Sequence, residues 1–395
     1  MSRPEARYKK EVLILTQPLG NNYGGIMQAY ALQNTLASLG FKATTDNPTS
    51  YKSALRNAIQ HFKWWVSKYV LRTGPHIVLG DSAMSVITKN PRAFVRDNID
   101  TIDIRNGRKK LQDYSSLEFD TIVVGSDQVW RKPYSNIQEY LLEFSQGMKI
   151  KRISYAASFG KDDLSEYGDK LIKKSAALAK KFDEISVRED SGVDICNEYW
   201  GVKAQQHVDP TLLLEKDDYL KLIHEDINVL KKSDGQIFTY VLDYDKNKDE
   251  IIDKVSSHLK LKSFDIMPPK PMTKKELRSN PDKFALPHVT QWLKSFKDAD
   301  FVITDSFHGS VFSIIFNKPF IAIGNKERGL TRFSSLLRLF NLEDRLVSNS
   351  NSALSIVDSP INWKEVNEIK LREKKRGIKY LKDNLKTVPQ VRNDS

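Results

Sequence analysis

The sequence predicts an α/β protein made of two doubly wound, Rossmann-like domains that face each other across a cleft. Its 395 residues exceed the size at which one hydrophobic core keeps growing, so two domains are expected. Hydrophobic residues make up 40% of the chain and charged residues 28%, a balance typical of a globular protein. Short apolar strands alternate with helix-patterned segments in two series, on either side of about residue 215. We therefore expect one domain over 1–215, a second over 216–362, and a C-terminal helix and tail over 363–395.

Composition limits the partners. The chain has 62 Lys and Arg against 50 Asp and Glu, and this net charge of +12 favours anionic partners in general. No nucleic-acid-binding signature is present and the charge is spread along the chain, so nucleic acid is not expected as a partner. Cys196 is the only cysteine and the seven histidines lack ligand spacing, so neither a disulfide nor a bound metal is expected. No apolar stretch has the length of a membrane span or a signal-peptide core, which predicts a cytoplasmic protein.

The chain begins with a strand–loop–helix unit. Residues 11–15 are an apolar strand, and apolar side chains within 26–39 recur at helical spacing. The loop between them lacks the Gly-x-Gly-x-x-Gly order, so a dinucleotide is not implied. Asn22, Tyr23 and Gly24 in this loop either serve a turn that needs small residues or line the substrate cleft.

A basic segment rich in aromatic residues follows this unit. Residues 47–80 contain no Asp or Glu, and apolar side chains within 52–72 fall on one face of a helix. We favour an ordinary helix that buries its aromatic stripe. The alternative is peripheral contact with a membrane surface through 52–72.

Two strands of the first series end in charged residues. Asp127 follows one of them, and it could cap a helix, bind a sugar hydroxyl or act as a base. Arg188 ends the other, where a buried guanidinium faces a structural carboxylate or a bound anion, since it is not left unpaired. Glu189 and Asp190 are the candidates for a structural partner. Residues 207–214 close the series.

The second series is centred on a strand–loop–helix unit at 301–316. An apolar run at 301–304 predicts a buried strand, and a polar turn separates it from a helix. In open α/β sheets ligands bind beyond the carboxyl ends of strands, where the N-terminus of a helix offers free N–H groups to an anion. Asp305, Ser306 and His308 stand at that place.

Four motifs together resemble the polysaccharide pyruvyl transferase family, in order along the chain from about residue 12 to about residue 347. They are Asn22-Tyr23-Gly24-Gly25, Gly125-Ser126-Asp127-Gln128-Val129-Trp130, Ser186-Val187-Arg188-Glu189 and Asp305-Ser306-Phe307-His308-Gly309-Ser310. The resemblance implies a GT-B-like architecture with the acceptor on the side of the first domain. Many family members carry Arg or another bulky residue where this chain has Ser306, so one expected anion contact is missing here.

The resemblance also implies roles for individual residues. His308 is expected to act as the general acid, and Asp127 is the candidate base. The substrate-binding residues are then Arg188, Lys326, Arg332, Ser306, Phe307, Asn22, Tyr23 and Gly24.

The implied reaction transfers the pyruvyl group of phosphoenolpyruvate to two hydroxyls of one sugar as a cyclic ketal, without a cofactor. The implied acceptor is a sugar or lipid-linked oligosaccharide of a cell-surface or extracellular polysaccharide, met in the cytoplasm or at the inner face of the membrane. A GT-B glycosyltransferase that uses a nucleotide sugar is the alternative within enzymes. A non-catalytic carbohydrate-binding protein of the same fold is the alternative outside them.

Overall fold

The computed structural model of the protein describes residues 11–48, 81–104, 119–226, 233–269, 276, 279–324 and 330–386. Within these ranges the chain forms two five-stranded parallel sheets and a short two-stranded one. The prediction of two Rossmann-like, doubly wound units is confirmed. The segment 52–72 and Lys326 lie outside the described residues.

The first sheet occupies the N-terminal part of the chain. Its strands are β1 (Glu11–Leu15), β2 (Lys42–Asp46), β3 (Thr101–Ile102), β4 (Thr121–Val124) and β5 (Lys151–Ser154). The helices described along it are α1 (Tyr23–Ser38), α2 (Asp81–Ile87), α3 (Lys89–Asn98), α4 (Ile137–Tyr140) and α5 (Asp169–Ala179). The strand order is β3-β2-β1-β4-β5, with every pairing parallel. Because the order reverses between β1 and β4, the loops after these two strands diverge and leave a crevice.

A short parallel pair extends this sheet beyond β5. It consists of β6 (Ser186–Val187) and β7 (Gln205–Gln206), with α6 (Asp190–Glu198) between them. The backbone N–H of Ala157 donates to the carbonyl of Ser186 (3.1 Å), and that of Arg188 donates back to Ala157 (3.0 Å). The pair therefore brings the residues after β6 and β7 to the same edge as the loops of the main sheet.

The second sheet repeats the arrangement. Its strands are β8 (Ile237–Tyr240), β9 (Ser263–Phe264), β10 (Phe301–Thr304), β11 (Phe320–Ile323) and β12 (Leu346–Val347). The accompanying helices are α7 (Lys216–Glu225), α8 (Lys246–Leu259), α9 (Val289–Asp298), α10 (Phe307–Phe316), α11 (Leu330–Leu339), α12 (Ser350–Ile356) and α13 (Trp363–Lys386). The order is β12-β11-β10-β8-β9, again parallel, so this sheet reverses between β8 and β10.

The two halves share a packed core. All ten residues of α10 are buried. Its own apolar side chains are distributed around the helix, so no face is predominantly polar. One hydrophobic cluster joins Val12 of β1 to Val302 of β10. A division at residue 215 remains a prediction, since the halves are in contact through this core.

Helix α13 runs back from the second half to the first. The hydroxyl of Tyr380 donates to the carbonyl of Ser154 (2.9 Å), and its ring lies 4.6 Å from that of His207. A Cβ at Gly377 would lie 2.3 Å from the Tyr155 hydroxyl, so glycine is required for this close approach. None of the helices in the described ranges combines the length and apolar character of a membrane span.

Candidate active site

A cleft of about 520 Å³ lies where the reversal points of the two sheets meet. Its walls come from the loops after β1, β4, β8 and β10 and from the start of α10, with one residue from α11. The lining residues are Gln17, Pro18, Asn21, Asn22, Asp127, Gln128, Tyr134, Tyr240, Leu242, Asp243, Asp305, Ser306, Phe307, His308 and Arg332. The structure thus brings together Asn22, Asp127, Ser306, Phe307, His308 and Arg332 from the predicted set.

Asp305 fixes one wall of the cleft. Its carboxylate is buried and pairs with Lys248 at 2.8 Å. It also accepts the backbone N–H groups of Leu242 (2.7 Å) and Asp243 (3.2 Å). Asp305 therefore holds the loop after β8 against the end of β10. In this turn, Ser306 and His308 are the remaining candidates for contact with a substrate.

His308 stands in the first turn of α10 and is 5% exposed. Its Nε2 lies 3.5 Å from Oδ2 of Asp209, which follows β7 in the other half. On the same imidazole, Nδ1 faces the backbone of Gly24 in the first turn of α1. The imidazole is thus held between two elements of the N-terminal half.

Gly24 is required by this close approach. A Cβ built on it would lie 2.0 Å from Nδ1 of His308, far inside contact distance. Gly24→Ala is therefore expected to displace the imidazole and to lower kcat about 10²-fold, the effect of misplacing a reacting group by about 1 Å. Steady-state kinetics of the purified variant checks this.

Gly20→Ala is the matched control, because a Cβ at Gly20 meets nothing within 4 Å. It should keep the turnover of the unmodified protein. A Gly24→Ala protein with unchanged kcat would show that α1 or His308 can shift without consequence.

Tyr23 lies away from the cleft. Its ring stacks on Trp292 with centroids 5.5 Å apart, and its hydroxyl donates to the carbonyl of Pro287 (2.7 Å). Burial raises the pKa of Tyr23, and Tyr240 adds to the effect. Because Tyr23 opens α1 on the face that meets α9, the structure places it in the shared core and not in the cleft wall.

Asp127 is held by the loop after β4. Its Oδ2 accepts from Nδ2 of Asn22 (3.2 Å) and its Oδ1 from the backbone N–H of Gln128 (2.8 Å). Asp127 has a φ of 71°, in the left-handed region that few side chains adopt without support. The backbone just before Asp127 is fixed by Gln28 of α1, whose side-chain oxygen accepts from the N–H of Ser126 (2.9 Å). The loop therefore presents one carboxylate to the cleft in a fixed position.

Arg188 lies behind the cleft wall. Its guanidinium stacks 4.3 Å from the ring centre of Phe307, and Nη1 donates to Asp209 (2.9 Å). Glu189 lies 3.5 Å away and Asp127 3.8 Å away. Burial alone would lower the pKa of Arg188, but these three carboxylates raise it. Within the described residues Nη2 is buried and makes no hydrogen bond, and it lies 3.8 Å from Oδ1 of Asp127.

Of the two acids proposed as structural partners of Arg188, only Glu189 lies close to it in the described residues. Asp190 instead pairs with Arg338 on α11 at 2.5 Å and accepts no contact from Arg188. The main partner, Asp209, was missed by the sequence analysis.

Asp209 had been included only in the segment that closes the first series. An Asp before Pro at a strand end indicates a turn, and Asp209 does accept from the N–H (3.1 Å) and hydroxyl (2.8 Å) of Thr211. Its other oxygen meets Arg188 and His308. Burial would raise the pKa of Asp209, but the contact with His308 and the charges of His308 and Arg188 hold it well below its usual value. The Asp-Pro sequence indicates only a turn, so it does not reveal the contacts of Asp209 with Arg188 and His308.

Arg332 brings a second guanidinium to the cleft from α11. Its guanidinium lies 5.7 Å from the centre of the Phe307 ring, so Phe307 contacts both arginines. Burial and the neighbouring charge of Arg188 lower the pKa of Arg332 to about 10. An anion entering the cleft would offset both effects.

Tyr134 was also missed as a cleft residue. It is 47% exposed and its ring is backed by the guanidinium of Arg131, 4.6 Å from the ring centre.

In the described parts of the chain, no three His, Cys, Asp or Glu side chains are grouped so as to hold a metal ion.

Comparison with known protein families gives one match. The model of the polysaccharide pyruvyl transferase family matches residues 22–327, most of the chain. A sequence search of curated proteins found no match.

The fold is similar to several solved structures of GT-B proteins. They include UDP-GlcNAc 2-epimerase from Methanocaldococcus jannaschii, at 14% identity and a TM-score of 0.52, covering 94% of this chain and 99% of that chain. The corresponding enzyme from Neisseria meningitidis has 10% identity and a TM-score of 0.51, with 95% and 99% covered. A UDP-glucosyltransferase from Polygonum tinctorium has 10% identity and a TM-score of 0.50, with 96% and 100% covered. At identities this low, the structural similarity establishes the GT-B-like fold and nothing about function.

Proposed function

The chain belongs to the polysaccharide pyruvyl transferase family, and we propose that it transfers the pyruvyl group of phosphoenolpyruvate to a sugar as a cyclic ketal. The acceptor would be a sugar of a cell-surface or extracellular polysaccharide, or its lipid-linked precursor at the inner face of the membrane. The observation that carries the proposal is the shared cleft, in which the imidazole of His308, the carboxylate of Asp127 and the guanidinium of Arg332 meet.

The reaction sets three demands on the cleft. The methylene carbon of phosphoenolpyruvate gains a proton, and positive charge develops at C2. Two sugar hydroxyls then form C–O bonds to C2, and the bond from C2 to the phosphate oxygen breaks. Of the two hydroxyl protons, one replaces the proton given to carbon and the other leaves with phosphate. The enzyme therefore needs an acid, a base, and cations for the carboxylate and phosphate.

The side chains of the cleft match these demands. His308 is the acid, since imidazole is the common side chain that gives and regains a proton near neutral pH. Asp127 is the base for the incoming hydroxyl, on the side of the first half that we assign to the acceptor. The hydrogen bonds from Asn22 and from the N–H of Gln128 leave lone pairs on both oxygens for a sugar hydroxyl.

Arg332 is assigned to the donor anion. Its lowered pKa reflects a buried positive charge that an anion would stabilise. Arg332→Met is expected to raise the Kd for phosphoenolpyruvate about 10- to 100-fold, the equivalent of about 1.5–3 kcal/mol for hydrogen bonds to a charged group. Isothermal titration with phosphoenolpyruvate measures this.

Arg338→Met is the matched control for Arg332→Met. Arg338 lies on the same helix, but its side chain is 63% exposed and it pairs with Asp190 outside the cleft. Its Kd should be that of the unmodified protein. Equal affinities in all three proteins would remove Arg332 from the donor site.

One experiment tests the function itself. Lipid-linked or free glycans are incubated with the protein and phosphoenolpyruvate, and mass spectrometry looks for a glycan that has gained pyruvate less one water, with release of phosphate. Parallel thermal shifts with phosphoenolpyruvate and with UDP identify the donor. Stabilisation by UDP alone would overturn the proposal in favour of a nucleotide-sugar transferase, and stabilisation by neither would favour a binding protein.

A further inference from the structure

We infer that Asp209 is a positioning residue that holds the Nε2–H of His308, which leaves Nδ1 as the ring nitrogen that exchanges a proton with the substrate. The proton's destination rests on the proposed function; the contact between Asp209 and His308 does not.

The carboxylate of Asp209 is fixed from several sides. It is 1% exposed, and the backbone N–H and hydroxyl of Thr211 hold its Oδ1. Its Oδ2 accepts from Nη1 of Arg188 (2.9 Å) and lies 3.4 Å from the hydroxyl of Ser126. A carboxylate held in this way cannot turn to suit the imidazole, so the imidazole must orient itself to the carboxylate.

The imidazole of His308 lies next to this carboxylate. Nε2 lies 3.5 Å from Oδ2, somewhat beyond an ordinary N–H···O bond. Hydrogen bonds of catalytic groups are commonly looser before the substrate binds and tighten in the complex. The ring is 5% exposed and lies against Gly24 on its Nδ1 side, so it has little room to rotate away.

The charge state of Asp209 decides which way the bond runs. The positive groups around it keep it ionised, and an ionised carboxylate is an acceptor only. His308 must therefore present an N–H at Nε2. In the neutral ring the free lone pair is then on Nδ1, and in the charged ring Nδ1 carries the proton that can be given away.

The proton step follows from this assignment. Nδ1–H gives its proton to the methylene carbon of phosphoenolpyruvate, and the electron pair of the C=C bond forms the new C–H bond. The ring is left neutral, with its remaining proton on Nε2 and donated to Asp209. A hydroxyl proton of the acceptor returns to Nδ1. A Cβ on Gly24 would lie 2.0 Å from Nδ1, so glycine at this position keeps a side chain out of the space beside that nitrogen.

A competing role for Asp209 is to hold Arg188 alone. The two roles give different results in a double-mutant cycle, because a residue that acts only through His308 has nothing left to act on once His308 is removed. A residue that acts through Arg188 would lower activity equally with or without His308.

The first arm of the test is kinetic. Asp209→Asn is expected to lower kcat at least about 10-fold, since the amide can stabilise the wrong tautomer of the imidazole. Asp209→Asn combined with His308→Ala should be no slower than His308→Ala alone. Asp358→Asn, which removes the acid from the exposed His258–Asp358 pair, is the control expected to keep full activity. Additive losses in the double variant would overturn the inference.

The second arm needs no substrate and no variant that folds poorly. In protein labelled with ¹⁵N-histidine, NMR reads which nitrogen of each neutral ring carries the proton, and His308→Gln assigns the His308 signals. We expect a protonated Nε2 with a slowly exchanging proton for His308. A proton on Nδ1, or a rapidly exchanging Nε2 proton, would overturn the inference even if no pyruvyl transfer is found. Failure of the proposed function, by contrast, appears only as the absence of ketal product.

Discussion

Replacing His308 by alanine is expected to lower kcat about 10²–10⁴-fold, the usual contribution of a general acid or base. In the proposed reaction, C2 of phosphoenolpyruvate becomes electrophilic only when the methylene carbon is protonated, and the variant would have no acid at that point. Steady-state assays of ketal formation measure the loss. Circular dichroism and thermal unfolding of the same preparation establish that the protein is folded.

Two further variants make this result interpretable. His308→Gln keeps most of the side-chain volume and should lose activity to a similar extent, which separates lost chemistry from a cavity in the core. His258→Ala removes an exposed histidine that also pairs with an aspartate, 2.6 Å away. It should turn over normally. Near-normal turnover of folded His308→Ala would make His308 a structural residue.

Replacing Arg188 by methionine is expected to lower the free energy of unfolding by about 3–5 kcal/mol, the loss typical of breaking a buried ion pair. Asp209, Glu189 and Asp127 all lie within 4 Å of the guanidinium. Methionine supplies a similar apolar stem but no charge, so three buried carboxylates would lose the cation they share. Urea unfolding followed by fluorescence measures the change.

Arg338→Met is the control for this loss, because its ion pair with Asp190 is at the surface and such pairs contribute about 0–1 kcal/mol. Arg188→Lys then asks whether Arg188 also binds the donor. If it does, Lys should raise the Kd for phosphoenolpyruvate at an unchanged melting temperature, because it cannot reproduce the two-pronged contact. A lower melting temperature with unchanged affinity would limit Arg188 to its structural pairs. A loss of stability below about 1 kcal/mol in Arg188→Met would contradict the structural role.

The fold was accessible from sequence because buried parallel strands leave a strong local signal. The runs at 11–15, 121–124, 237–242 and 301–304 are rich in apolar and β-branched residues, and each is followed by polar or small residues. The two-residue strands β3, β7 and β12 are too short to give a period of their own. Their places are set by pairing with neighbours distant in sequence.

The site was accessible only where a residue's place in the chain determines its place in space. His308 and Asp127 follow central strands at the reversal points, so the topology alone brings them together. The prediction that Tyr23 lines the cleft was wrong, because the first turn of a helix has several faces and the sequence does not show which one meets the cleft. Asp209 was hidden because its local contacts with Thr211 already explain an Asp-Pro turn, whereas its contact with His308 joins residues about a hundred positions apart.

Helix α13 has a consequence for the order in which the protein is made. Its Tyr380 and Gly377 cover Ser154, Tyr155 and His207 of the first half, yet they are translated long after those residues. Domains generally fold as they emerge from the ribosome, the N-terminal one first. The nascent first half must therefore wait with this patch exposed while the whole second sheet is synthesised. Chaperone binding to ribosome-bound chains that stop before Trp363 should concentrate on that patch and end once α13 has emerged.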